Sequence, residues 1–170
     1  MSRHPPVEGL RELMERLWAE RHLLEFLLFK LVTARLILAA DARAFVTPAL
    51  GEVEVAIERL REAELLRATA VARLAEEWGV PAERLSLSYL VEHAPEPAAT
   101  MFKEHREGFR ALVEEIEEVA AENRRVAAAA AEHVRENLDA LVGAEVADTY
   151  DPSGRRGLAA PKPARVDREL

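Results

Sequence analysis

The sequence predicts an all-α protein: an elongated antiparallel helical bundle, coiled-coil in character, of three long helices and one short helix, with a flexible C-terminal tail. Three observations carry this. Leucine recurs at seven-residue steps as Leu10, Leu17, Leu24, Leu31 and Leu38, and apolar faces of the same period return in two later segments. A 3.5-residue period holds an apolar seam against a partner helix over many turns. Charged residues make up 32% and apolar ones 49% of the 170 residues, the balance of packed amphipathic helices. At this length one domain with a sizeable core is expected, with residues 1–150 as the bundle and 151–170 as the tail.

The first helix is expected over residues 7–42, after Pro5 and Pro6, since proline is tolerated where a first-turn N–H has no partner. Leu13, Leu27 and Ala34 lie beside its leucine ladder. Within residues 23–32, Leu23, Leu24, Phe26, Leu27, Leu28, Phe29, Leu31 and Val32 wrap most of the circumference, so this stretch is covered from several sides or meets a second molecule. The second helix reads as capped by Thr47 with Pro48 in its first position, and as stopped by Gly79 with Pro81 beyond. Its seam is Leu50, Val53, Ile57, Leu60, Val71, Leu74 and Trp78. The short connection makes the first two helices antiparallel neighbours.

Pro81, Pro95 and Pro97 bracket one short helix around Leu85, Leu87, Tyr89, Leu90 and Val91. The last helix is expected over residues 98–142, with Phe102, Phe109 and Ile116 on one seam line and Leu112, Val119 and Val126 on the other. At 1.5 Å per residue the three long helices measure roughly 54, 46 and 68 Å, so the last outruns its partners by roughly 14–22 Å. Asp-Pro-Ser-Gly at 151–154, Gly157, Pro161 and Pro163 mark the tail.

Several function classes are disfavoured. The tail carries five basic and three acidic residues, leaving −10 for the remainder of a chain whose net charge is −8, and an acidic body argues against nucleic acid. Cysteine is absent, which removes disulfides, thiolate zinc sites and cysteine nucleophiles. No histidine follows a glutamate by three residues, as a di-iron bundle requires, so no metal and no cofactor are expected. There is no phosphate loop and no nucleophile elbow. The protein reads as a non-enzyme. The opening residues lack a secretory charge and apolar pattern, and the densest apolar stretch is interrupted by Glu25 and Lys30, so the expectation is a cytoplasmic chain without membrane insertion.

The last helix looks unfinished. Five successive alanines at 127–131 favour helix yet bury little area, a surface that accepts another helix closely. The expected binding stripe is Leu112, Ile116, Val119, Asn123, Val126, Ala130, Val134 and Leu138, with a partner helix in the groove. Two plainer readings stand beside it: alanines also let two helices of one chain approach, and an asparagine on a seam commonly fixes register.

Specific strings resemble a known family. Leu17-Trp18-Ala19-Glu20-Arg21-His22-Leu23-Leu24-Glu25-Phe26-Leu27-Leu28-Phe29-Lys30-Leu31 resembles the opening helix of the FlgN-type flagellar export chaperones, especially their actinobacterial branch. Glu62-Ala63-Glu64-Leu65-Leu66-Arg67-Ala68 is similar to the family's second helix, Ala94-Pro95-Glu96-Pro97 to its connection, Glu122-Asn123-Arg124 to its last helix, and Thr149-Tyr150-Asp151-Pro152-Ser153-Gly154 to its tail. One departure is Val126 and Ala127, where the family carries a leucine pair. The resemblance implies a cytoplasmic chaperone that binds C-terminal helical segments of hook-filament junction (hook-associated) proteins and delivers them to the flagellar type III export gate. It also implies gate docking through Tyr150, whose plainer role is to pack back on the helix end. The competing reading is a structural coiled-coil adaptor or self-associating bundle unrelated to secretion, supported by residues 23–32.

Overall fold

The computed structural model describes residues 7–149, with side chains for 8–140. The expected tail at 151–170, its boundary at 150 and Tyr150 lie outside the described residues. Every regular element described is helical: α1 (Val7–Ala39), α2 (Arg43–Trp78), a single 3-10 turn (Ala82–Arg84), α3 (Leu87–His93) and α4 (Ala98–Thr149). The chain forms two compact units, Met1–Ala127 and Ala128–Leu170.

In the first unit, α1 and α2 are antiparallel. Glu12 meets Arg73, Glu20 meets Arg67 and Lys30 meets Glu52, so one partner's number falls as the other's rises. The leucine ladder of α1 packs on a second heptad of small residues, Ala56, Ala63 and Ala70, all buried. Large side chains facing small ones let the two backbones approach while the seam stays filled. The expected α2 seam holds for Val53 and Leu74, which are buried, and for Ile57, Leu60, Val71 and Trp78, which pack on the clusters, but Leu50 is 48% exposed, and the alanine line adds buried positions beside that seam.

Both ends of the α1–α2 connection also differ from expectation. The first helix stops at Ala39, before residue 42, because Asp41 turns into the left-handed region at φ 50. Asp41 N–H then bonds the Leu38 carbonyl and Ala42 N–H the Ile37 carbonyl, the paired bonds that satisfy a helix C-terminus. Aspartate tolerates this conformation without glycine's freedom. Consequently α2 starts at Arg43 and not at Thr47, leaving Pro48 as its sixth residue, without an N–H for the carbonyl of Ala44. The other end of α2 follows the expectation: Gly79 sits at φ 66, donating to the Glu76 carbonyl while Val80 donates to that of Ala75.

Ser86 caps α3 by accepting from the Tyr89 N–H. Helix α3 returns the chain to the start of α4, which runs parallel to α1. Trp18 meets His105, Arg21 meets Gly108 and Arg35 meets Glu122, each pair 87 residues apart, and a constant difference defines a parallel pair. The same offset sets Ala39, the last residue of α1, beside Val126.

Two apolar clusters fill the unit. The first gathers Leu10, Leu13, Met14 and Leu17 with Ala70, Leu74, Leu85, Leu90 and Phe102. The second gathers Leu27, Ala34, Val53 and Ala56, with Ile116 of α4 packed on it. The described part of the second unit is the helical run 128–149, whose side chains through residue 140 are all exposed.

Candidate functional site

Helix α4 carries the stripe that the sequence singles out. Its first turn is tied by the Glu96 carboxylate, which accepts from the Thr100 N–H and hydroxyl. Phe102 and His105 then enter the core. His105 is 1% exposed, stands edge-on to the Trp18 ring at 4.8 Å and leans on Phe109 at 6.0 Å, and neither ring nitrogen has a hydrogen-bond partner. Burial holds its pKa below the ordinary histidine range; the Arg21 charge pushes the same way and Glu104 opposes. It is a neutral ring packed as an aromatic. Its spacing, three after Phe102 and four before Phe109, is the signal. Gly108 one turn later leaves room for the Arg21 guanidinium, which an added Cβ would meet at 2.9 Å.

Five stripe residues fall in the first unit. Val119 is buried, while Leu112, Ile116, Asn123 and Val126 are half-buried. Asn123 Nδ2 donates to the Leu31 carbonyl of α1 at 2.9 Å, and Arg35 donates to the Glu122 carboxylate at 2.7 Å. Asn123 Oδ1 is buried without a hydrogen-bond partner. Asn123 therefore sets the register of α4 on α1, the plainer of its two sequence readings. The other three, Ala130, Val134 and Leu138, belong to the second unit, four residues apart on one helix face. All are exposed, Val134 by 46% and Leu138 by 55%.

Two features had no counterpart in the sequence reading, and a third, the exposure of Phe29, extends the apolar belt at residues 23–32. Glu20 occupies the seam line of Leu13, Leu27 and Ala34, at 7% exposure, and meets Arg67 Nε at 2.5 Å. Burial pushes its pKa up and Glu64 adds to this, against the attraction of Arg67. An apolar cleft of about 420 Å³ opens between Leu10 and Met14 of α1 and Pro95, Pro97, Ala98 and Met101, rimmed by Arg11 and Glu96. On α1, Phe29 and Leu36 stand one heptad apart, 60% and 62% exposed, with Lys30 Nζ over the Phe29 ring at 5.7 Å.

Among the described residues no group of three or more His, Asp or Glu could hold a metal ion, and no helix is long and apolar enough to cross a membrane. Compared with known families, residues 1–157 match the one described as FlgN protein. No curated protein and no solved structure matches the chain.

Proposed function

The chain belongs to the FlgN family, whose members act as flagellar export chaperones, and from this premise we propose that it binds C-terminal helical segments of hook-filament junction proteins in the cytoplasm and delivers them to the export gate. No catalysis and no cofactor enter this reading. Client contacts are assigned to Leu112, Ile116, Val119, Asn123 and Val126 in the first unit and to Ala130, Val134 and Leu138 in the second, with Tyr150 assigned to gate docking. The observation that carries it is the exposure of Ala130, Val134 and Leu138 along one helix face. A client helix with apolar residues at i, i+3, i+4 and i+7 covers such a face, its bulky side chains filling the space alanine leaves.

Ala130→Glu tests this against a C-terminal segment of a hook-associated protein from the same genome. A carboxylate buried without a partner costs several kcal/mol, so affinity should fall by about tenfold or more while helicity stays unchanged. Unchanged affinity, or loss of the fold, refutes the assignment. Self-association is the second reading, favoured by exposed Phe29 and Leu36. It requires a mass that rises with concentration in light scattering and falls back in Phe29→Glu.

A further inference from the structure

Helix α4 is held on α1 unevenly. Ala99, Phe102 and His105 bury its beginning, whereas over residues 112–126 only Val119 is buried. That later segment ends in two polar contacts, Asn123 to the Leu31 carbonyl and Glu122 to Arg35, and it leaves Asn123 Oδ1 buried and unpaired. A buried acceptor without a donor marks an imperfect fit. Between the two parts lies Gly108, inside the helix. Glycine is the weakest helix former after proline, so α4 can bend there and leave its anchored start in place.

We propose that residues 112–126 are a resident competitor: they fill a seat on α1 and α2 that a client helix takes by displacing them. This deepens the client-binding reading and rests on it. The seat shows what fits it, because a helix already occupies it. Ile116 packs on the cluster of Leu27, Ala34, Val53 and Ala56, Val119 is buried, Glu122 meets the Arg35 guanidinium and Asn123 meets the Leu31 carbonyl. The occupant is therefore an amphipathic helix with β-branched residues at i and i+3, an acid at i+6 and a carboxamide at i+7. A client that also satisfies the remaining polar groups displaces the imperfect resident, and the released stripe then faces the client. Apparent client affinity is reduced by the fraction of molecules in which α4 is closed.

The chain has no cysteine, so Arg35→Cys with Glu122→Cys creates a single reactive pair. A short bismaleimide then ties α4 to α1, and the same double variant capped with N-ethylmaleimide is the control, both checked for helicity. The probe is a labelled peptide carrying the C-terminal helical segment of a hook-associated protein from the same genome. The capped form should bind it, and the tied form should bind at least about tenfold more weakly. Glu122→Ala, which loosens the closed state and leaves Arg35 free for the client's acid, should bind more tightly, by roughly threefold or more. Equal binding by tied and capped forms overturns the competitor while leaving client binding intact. Weaker binding by Glu122→Ala overturns it too. Absence of binding in every form, wild type included, overturns the client reading and the competitor with it.

Discussion

Replacing Arg67 by alanine strands a carboxylate on the α1–α2 seam. Glu20 stands in line with Leu13, Leu27 and Ala34, and only Arg67 among its neighbours draws its pKa down. Breaking a buried pair from one side typically costs about 3–5 kcal/mol. The Arg67 side chain is 37% exposed, so water screens the pair and about 1–3 kcal/mol is the working figure. For a chain of this size that lowers Tm by roughly 2–12 °C. The converse change sharpens the test. Because the Glu20 pKa is raised, desolvation outweighs the attraction of Arg67, and Glu20→Leu should be neutral or stabilising by up to about 2 kcal/mol. The sign with pH follows. A carboxyl whose folded pKa lies above its unfolded value costs nothing while protonated in both states, and it costs stability as pH rises through the folded value. The advantage of Glu20→Leu should thus be absent at about pH 4 and grow above it. Thermal and urea melts by far-UV circular dichroism across this range measure both variants. If Glu20→Leu loses as much as Arg67→Ala at neutral pH, the pair is a net source of stability and the desolvation argument fails.

His105 gives the opposite sign, since its folded pKa lies below the unfolded one: its contribution is complete above about pH 6.5 and is lost as pH falls through the folded value. His105→Phe should hold stability at neutral pH, because neither ring nitrogen has a partner to lose, and should remove this acid-side loss; a melt profile that keeps its slope refutes the assignment. Gly79→Ala isolates backbone strain, for an added Cβ meets nothing within 4 Å, and the cost should be about 1–2 kcal/mol from the φ of 66 alone. Truncation after Tyr150 should leave Tm within a few degrees, since the composition of 151–170 cannot bury enough apolar area to offset its ordering, and a larger fall refutes the tail reading.

Period and punctuation were the legible parts of this fold. The heptad of α1, the glycine stop of α2 and the proline-bracketed α3 all follow from residue types that act locally. The end of α1 was not legible, because Asp41 does there what glycine usually does, and a single aspartate in a polar turn carries no such signal. The alanine heptad of α2 was missed for a related reason. Reading bulk as burial ranks Leu50 above Ala56, yet the closest approach of two helices selects the smaller side chain, so the exposed residue is the leucine.

The candidate site shows a different boundary of sequence reasoning. A periodic stripe establishes that one helix face needs a cover, but not whether the cover belongs to the same chain. For Ile116 the cover is the cluster of Leu27, Ala34, Val53 and Ala56 on α1 and α2, for Asn123 it is α1, and the parallel register that puts them there is set by Arg35–Glu122 and Asn123–Leu31, pairs far apart in sequence. Within the first unit that register places the last residue of α1 beside Val126. Ala130, Val134 and Leu138 are exposed, and the proposed client contact there stands or falls on the Ala130→Glu test, because exposure marks a face that lacks a cover without identifying the cover.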